Sequence, residues 1–162
     1  MKHTYKKAAG TIVLIILLAT APSFGGERAP VMPTTKDKCP VCGMFVAKYP
    51  DWIAQAIFSD GSYAVFDGPK DLFKYLFAVK RYTPSKERNA IASLFVTDYY
   101  TLKPIDGTKA FYVMGSDMYG PMGKELVPFQ NMKDAKEFLR DHKGKKILTF
   151  KDITPEVMKD LE

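Results

Sequence analysis

One internal echo constrains this chain more than any other feature. Phe66-Asp67-Gly68-Pro69-Lys70-Asp71-Leu72-Phe73-Lys74-Tyr75-Leu76 lines up with Phe129-Gln130-Asn131-Met132-Lys133-Asp134-Ala135-Lys136-Glu137-Phe138-Leu139, with phenylalanine, Lys-Asp and leucine at the same offsets. A repeat of this kind implies one supersecondary plan used twice. Before the first copy, residues 52–58 and 62–66 flank the turn Ser59-Asp60-Gly61 and read as a hairpin. Pro69 opens a helix to about residue 79, with Leu72, Phe73, Leu76 and Phe77 as its apolar stripe. A charged connection over 80–89 then leads to a strand at about 93–99. The second copy predicts paired strands at 110–113 and 126–129, a helix over 131–142 and a closing strand at 146–150. Asn131 is a good N-cap for that helix, and Gly144 is its stop. The expected fold is therefore α+β, two ββαβ-type units in one domain, with a terminal helix over 154–161.

The halves differ at their hairpins. The short turn of the first becomes Gly115-Ser116-Asp117-Met118-Tyr119-Gly120-Pro121-Met122-Gly123-Lys124 in the second, a glycine-rich stretch that reads as a mobile loop. Methionines on such a loop are either flexible core filler or thioether donors. Met122, between Pro121 and Gly123, is a candidate ligand; Met118 leans to filler, and Met114 and Met132 read as core.

The chemistry is concentrated in Asp37-Lys38-Cys39-Pro40-Val41-Cys42-Gly43-Met44, which holds both cysteines of the chain. Pro40 favours a tight turn that brings the sulfurs together, and Gly43 frees the backbone before Met44. Cys39, Cys42 and Met44 thus offer soft sulfur donors, which suit Cu(I). A local disulfide and the redox pair of an exported thiol-disulfide oxidoreductase are the competing readings. A closed zinc site wants four nitrogen or sulfur donors, and outside the leader the chain adds only His142, placed at a helix end as a dipole-favoured surface residue. Asp60, Asp67, Asp98 and Asp117 read as turn and strand-end residues. A single such histidine argues against a hydrolytic triad, and no glycine-rich phosphate loop follows a strand.

The first residues are basic, and an apolar run over 8–21 follows, too short for a comfortable membrane span. With small Ser23 and Gly25 behind it, this reads as a signal peptide over 1–25, cleaved after Gly25 or kept as a membrane tether. No cysteine closely follows the run to accept a lipid. Residues 26–38, with Pro30 and Pro33, read as a linker, leaving 39–162 as the folded domain. Without the leader's three lysines the net charge of +6 falls to +3, too mild to argue for nucleic acid. Export bears on the cysteines, because an oxidising compartment closes such a pair unless metal or a reductant protects it.

Cys39-Pro40-Val41-Cys42-Gly43-Met44, Phe66-Asp67, Val96-Thr97-Asp98 and Gly120-Pro121-Met122-Gly123 together resemble the NosL family, the nitrous oxide reductase accessory proteins, over roughly residues 37–152. The resemblance implies a periplasmic Cu(I) chaperone that is no enzyme. Its implied partners are a copper-loading membrane complex and a copper-receiving enzyme, nitrous oxide reductase, whose copper-sulfide centre it would help assemble. It also implies a fold similar to a domain of organomercurial lyase, with Cys42 and Met44 as ligands, Met122 as the best third and Cys39 as ligand or redox neighbour.

Overall fold

The computed structural model describes residue 1 and residues 28–162. The expected signal peptide lies outside the described residues. The first unit consists of β1 (Ala54–Phe58), β2 (Tyr63–Phe66), α1 (Pro69–Phe77) and β3 (Ile91–Thr97). The second repeats it with β5 (Phe111–Gly120), β6 (Gly123–Phe129), α3 (Met132–Asp141) and β7 (Lys146–Thr149). In each, the first strand lies between the other two, giving orders β2-β1-β3 and β6-β5-β7, all antiparallel. The registers match as well: Ala54 sits between Phe66 and Val96, and Phe111 between Phe129 and Thr149. The repeat read from the helix offsets is a repeat of the whole sheet.

Among the described residues, two α-helices and one strand lie outside that plan, along with short 3-10 turns. A short helix α2 (Val79–Tyr82) follows α1, which ends at Phe77 where Ala78 leaves helical geometry (φ −145°). Strand β4 (Pro104–Asp106) extends the first sheet along β3. Its proline and aspartate hide it in the sequence, and an edge is where proline is tolerated. Helix α4 (Pro155–Lys159), capped by the Thr154 hydroxyl, buries Met158 and, just beyond it, Leu161 against the first core.

Helix α1 is buried almost all round because it lies between the two sheets. Ala54, Ala56 and Phe58 of β1 and Tyr112, Met114 and Leu126 of the second sheet belong to one core with its Leu72, Phe73, Tyr75 and Leu76. Alternation along β5 and β6 sends Val113, Val127 and Phe129 to the opposite face, where they meet Ala135 and Phe138 of α3. Asp98 joins the units: its Oδ1 accepts the Tyr100 and Thr101 amides, and its Oδ2 accepts the Gln130 amide at 2.7 Å. The described part of the 26–38 stretch makes definite contacts, as the Val31 amide and carbonyl pair with the Gln55 side chain at 2.8 and 2.9 Å.

Three expectations are corrected. Residues 115–124 are no loop: β5 and β6 run on to a two-residue Pro121-Met122 turn closed by the pair Gly120–Gly123. Between Met114 and Tyr119 the register shifts, so that residues 115–118 bulge opposite Glu125 alone. The left-handed residue ending α3 is Lys143 (φ 55°), not Gly144; glycine is needed there for room, since a Cβ would fall 2.7 Å from Val113 Cγ1. Met132, expected in the core, is exposed because the first turn of α3 faces solvent.

Candidate metal centre

Cys39 and Cys42 sit on a small knuckle. Lys38 bridges Phe45, the Cys39 amide donates to the Met44 carbonyl at 2.8 Å, and the Gly43 amide donates to the Cys39 carbonyl at 2.9 Å. Closing so tight a turn requires the left-handed conformation of Gly43 (φ 81°). The knuckle aims the amides of Val41 and Cys42 at the Cys39 sulfur and that of Met44 at the Cys42 sulfur. Such amides favour a sulfur that carries negative charge.

The knuckle lies against the start of α1. Cys42 Sγ–H donates to Asp67 Oδ1 at 3.1 Å, and Cys39 Sγ–H to Asp71 Oδ2 at 3.3 Å. The four ligand atoms of Cys39, Cys42, Asp67 and Asp71 all lie within 4.8 Å of one another. Cys39, Asp67 and Asp71 are buried and Cys42 is half-buried, so the group opens on the Cys42 side. Asp67 Oδ2 is buried with no hydrogen-bond partner. A buried carboxylate oxygen without a donor marks a place where a cation or water belongs.

Both cysteines are free thiols. Burial, reinforced by the neighbouring carboxylates, pushes the Cys39 thiol far above its usual range and the Cys42 thiol up to about 12. At neutral pH the pair therefore holds its protons until something displaces them. Redox-active pairs behave in the opposite way, with a lowered thiol at a helix start.

Helix α1 has glycine at its N-cap, and no side chain of its own caps it. The cap comes from β6: Glu125 Oε1 accepts the Lys70 amide at 2.6 Å. Gly68 must be glycine for this, because a Cβ would fall 2.2 Å from Glu125 Oε2. Burial pushes the Glu125 carboxyl up to about 8. Lys70, itself only 4% exposed, donates from Nζ to the Met122 carbonyl at 2.6 Å.

The sulfur residues singled out from sequence separate here. Cys39 and Cys42 come together as the motif implied. Met44 is bound to the pair through its backbone, while its thioether faces the Tyr49 hydroxyl at 4.0 Å. Met122 is exposed at the hairpin tip, which Lys70 ties to the first turn of α1. Met118 packs in the second core, in keeping with filler. His142 stacks on Phe138 at 4.2 Å and meets Asp117 at 3.1 Å; among the described residues it is not part of the thiol group. Asp67 and Asp71 are what sequence reading missed, and the signal available was their place just before and within the first turn of a repeated helix whose counterpart has Gln130 in place of the first carboxylate.

One buried and one half-buried thiol, each hydrogen-bonded to a carboxylate, form a candidate cation-binding site on a two-unit α+β scaffold. The NosL family profile matches residues 30–158, and the chain belongs to that family. It is 29% identical, over 99% of its length and 87% of the relative's, to the copper-binding lipoprotein NosL of Stutzerimonas stutzeri. Its fold is that of the copper chaperone NosL from Shewanella denitrificans, with a TM-score of 0.66 at 24% identity over 81% of this chain and 98% of that one.

Proposed function

We propose that the protein is an exported metallochaperone that carries Cu(I), held by the sulfurs of Cys39 and Cys42 with Met44 and Met122 as further donors. The observation that carries this reading is the thiol pair itself: two sulfurs with protons to give up, each bonded to a carboxylate, one of them Asp67, whose second oxygen has no partner. On loading, two S–H bonds give way to two S–Cu bonds and two protons leave. The amides aimed at both sulfurs stabilise the charge that remains. Cu(I) accepts two or three donors, so a receiving protein's sulfur or imidazole joins before a donor of this site departs. Family membership and the relative's own description as copper-binding support copper as the cargo. The proposed setting is the periplasm, between a copper-loading membrane complex and nitrous oxide reductase, with delivery toward that enzyme's copper-sulfide centre.

The oxidoreductase alternative fares worse, because Cys39 is only 1% exposed and neither thiol is acidic. The two carboxylates do favour one second reading, a Cys2Asp2 site for a borderline divalent ion such as zinc. Anaerobic titration of the reduced chain against a chromophoric Cu(I) chelator, with a parallel Zn(II) titration, separates the two. The expected result is one Cu(I) per chain, lost in Cys42→Ser. Unchanged competition by Cys42→Ser rejects the assignment, and retention of zinc alone moves the site to the second reading.

A further inference from the structure

Beyond the bulge the β5–β6 ribbon leaves its sheet. Strand β7 pairs with β5 only as far as Met114, so residues 119–124 form a two-stranded ribbon with no third strand. Such a ribbon has little stability of its own, and its position is decided by what ties it down. One side is held loosely, by Lys124 Nζ at 3.4 Å from the Asp160 and Glu162 carbonyls. The other is held by Lys70, whose amide meets Glu125 and whose ammonium meets the Met122 carbonyl, each at 2.6 Å.

Lysine is almost never buried unless something pairs with it, yet Lys70 turns its ammonium inward to a turn carbonyl. The next residue, Asp71, accepts the Cys39 thiol. The first turn of α1 thus holds the thiol site with one residue and the methionine tip with its neighbour. Its counterpart in the repeat, Lys133, is exposed at the start of α3.

We propose that Lys70 is a positioning residue for the copper site: its grip on the Met122 carbonyl sets the hairpin tip against α1, and the Met122 thioether serves the site only while that grip holds. The proposal rests on the Cu(I) reading above and adds a latch to it. Release of one hydrogen bond would swing the tip about the bulge, which begins at Gly115 (φ 78°), and take a donor from the site without touching the cysteines.

A double-mutant cycle in the full reduced chain tests this, read by anaerobic Cu(I)-chelator competition with a thermal melt as the fold control. Met122→Leu is expected to weaken Cu(I) binding about tenfold in the parent chain and less than about twofold in Lys70→Met. Lys70→Arg, which keeps a cationic donor, should restore most of the Met122 effect. A purely structural lysine would lower the melting temperature and leave the Met122 contribution intact, which overturns the latch. So does a silent Met122→Leu, while loss of binding in Cys42→Ser keeps the copper reading standing. Lys70→Gln replaces Lys70→Met in the cycle if the latter does not fold, and the same outcomes decide.

Discussion

The two units share strand order, register and even the Lys-Asp dipeptide at the start of the helix, yet only the first carries the group of two thiols and two carboxylates. In α3 the helix start is local. The Asn131 side chain accepts the Asp134 amide at 3.0 Å and returns a bond to its carboxylate at 2.8 Å. In α1 the cap is a distant glutamate, which frees Asp71 to face the Cys39 thiol and Lys70 to reach the hairpin tip. A helix N-terminus favours negative charge wherever it occurs. What turns it into a site is burial: Lys70 and Asp71 are 4% and 3% exposed, whereas Lys133 is exposed and Asp134 half-buried.

The comparison breaks most visibly through protons. Both thiols of the first unit are pushed above their usual range, Cys42 up to about 12, so Cu(I) bound by both, as proposed, would displace two protons. Its apparent affinity should rise about 100-fold per pH unit between pH 6 and 8, falling to about tenfold in Cys39→Ser. Chelator competition across that range measures the slope, and a flat profile would mean thiolates already formed. Next in size is Gly68→Ala. The backbone there is extended and accepts any residue, so the loss comes from the collision with Glu125 and should reach about 2–3 kcal/mol in urea unfolding. Asn131→Ala at the equivalent position should lose only about 1 kcal/mol; equal losses would show that the tertiary cap carries no extra weight. The smallest effect sharpens the contrast between the aspartates. Asp71→Asn removes a charge that raises the Cys39 thiol and should tighten Cu(I) binding at neutral pH about threefold, roughly 0.7 kcal/mol, whereas Asp134→Asn should leave it unchanged.

That last pair also explains what the sequence could and could not disclose. The repeat was legible because helix packing and capping leave fixed offsets, and Phe66, Asp71 and Leu76 recur as Phe129, Asp134 and Leu139. The thiol pair was legible because its spacing and Gly43 define a knuckle locally. Asp71 and Asp134 share the same Lys-Asp setting, so no local pattern separates thiol-facing from capping carboxylate; only the knuckle packed on one helix does so. The ribbon was misread for a related reason. Glycines at 115, 120 and 123 suggest a loop, but two take the positive φ of a bulge and a turn, and Gly120 makes room for Glu125. Glu125 itself, one charged residue in an apolar strand, gives no sign that it closes a helix some 55 positions earlier.

The unequal exposure of the two cysteines gives the site a front and a back. Cys39 is buried at 1% exposure, whereas Cys42 is only half-buried. Anything arriving from outside, whether alkylating reagent, chelator or the thiol of another protein, therefore meets Cys42 first and reaches Cys39 last. Should the proposed cargo pass through this centre, Cys42 would be the first sulfur it meets and Cys39 the last.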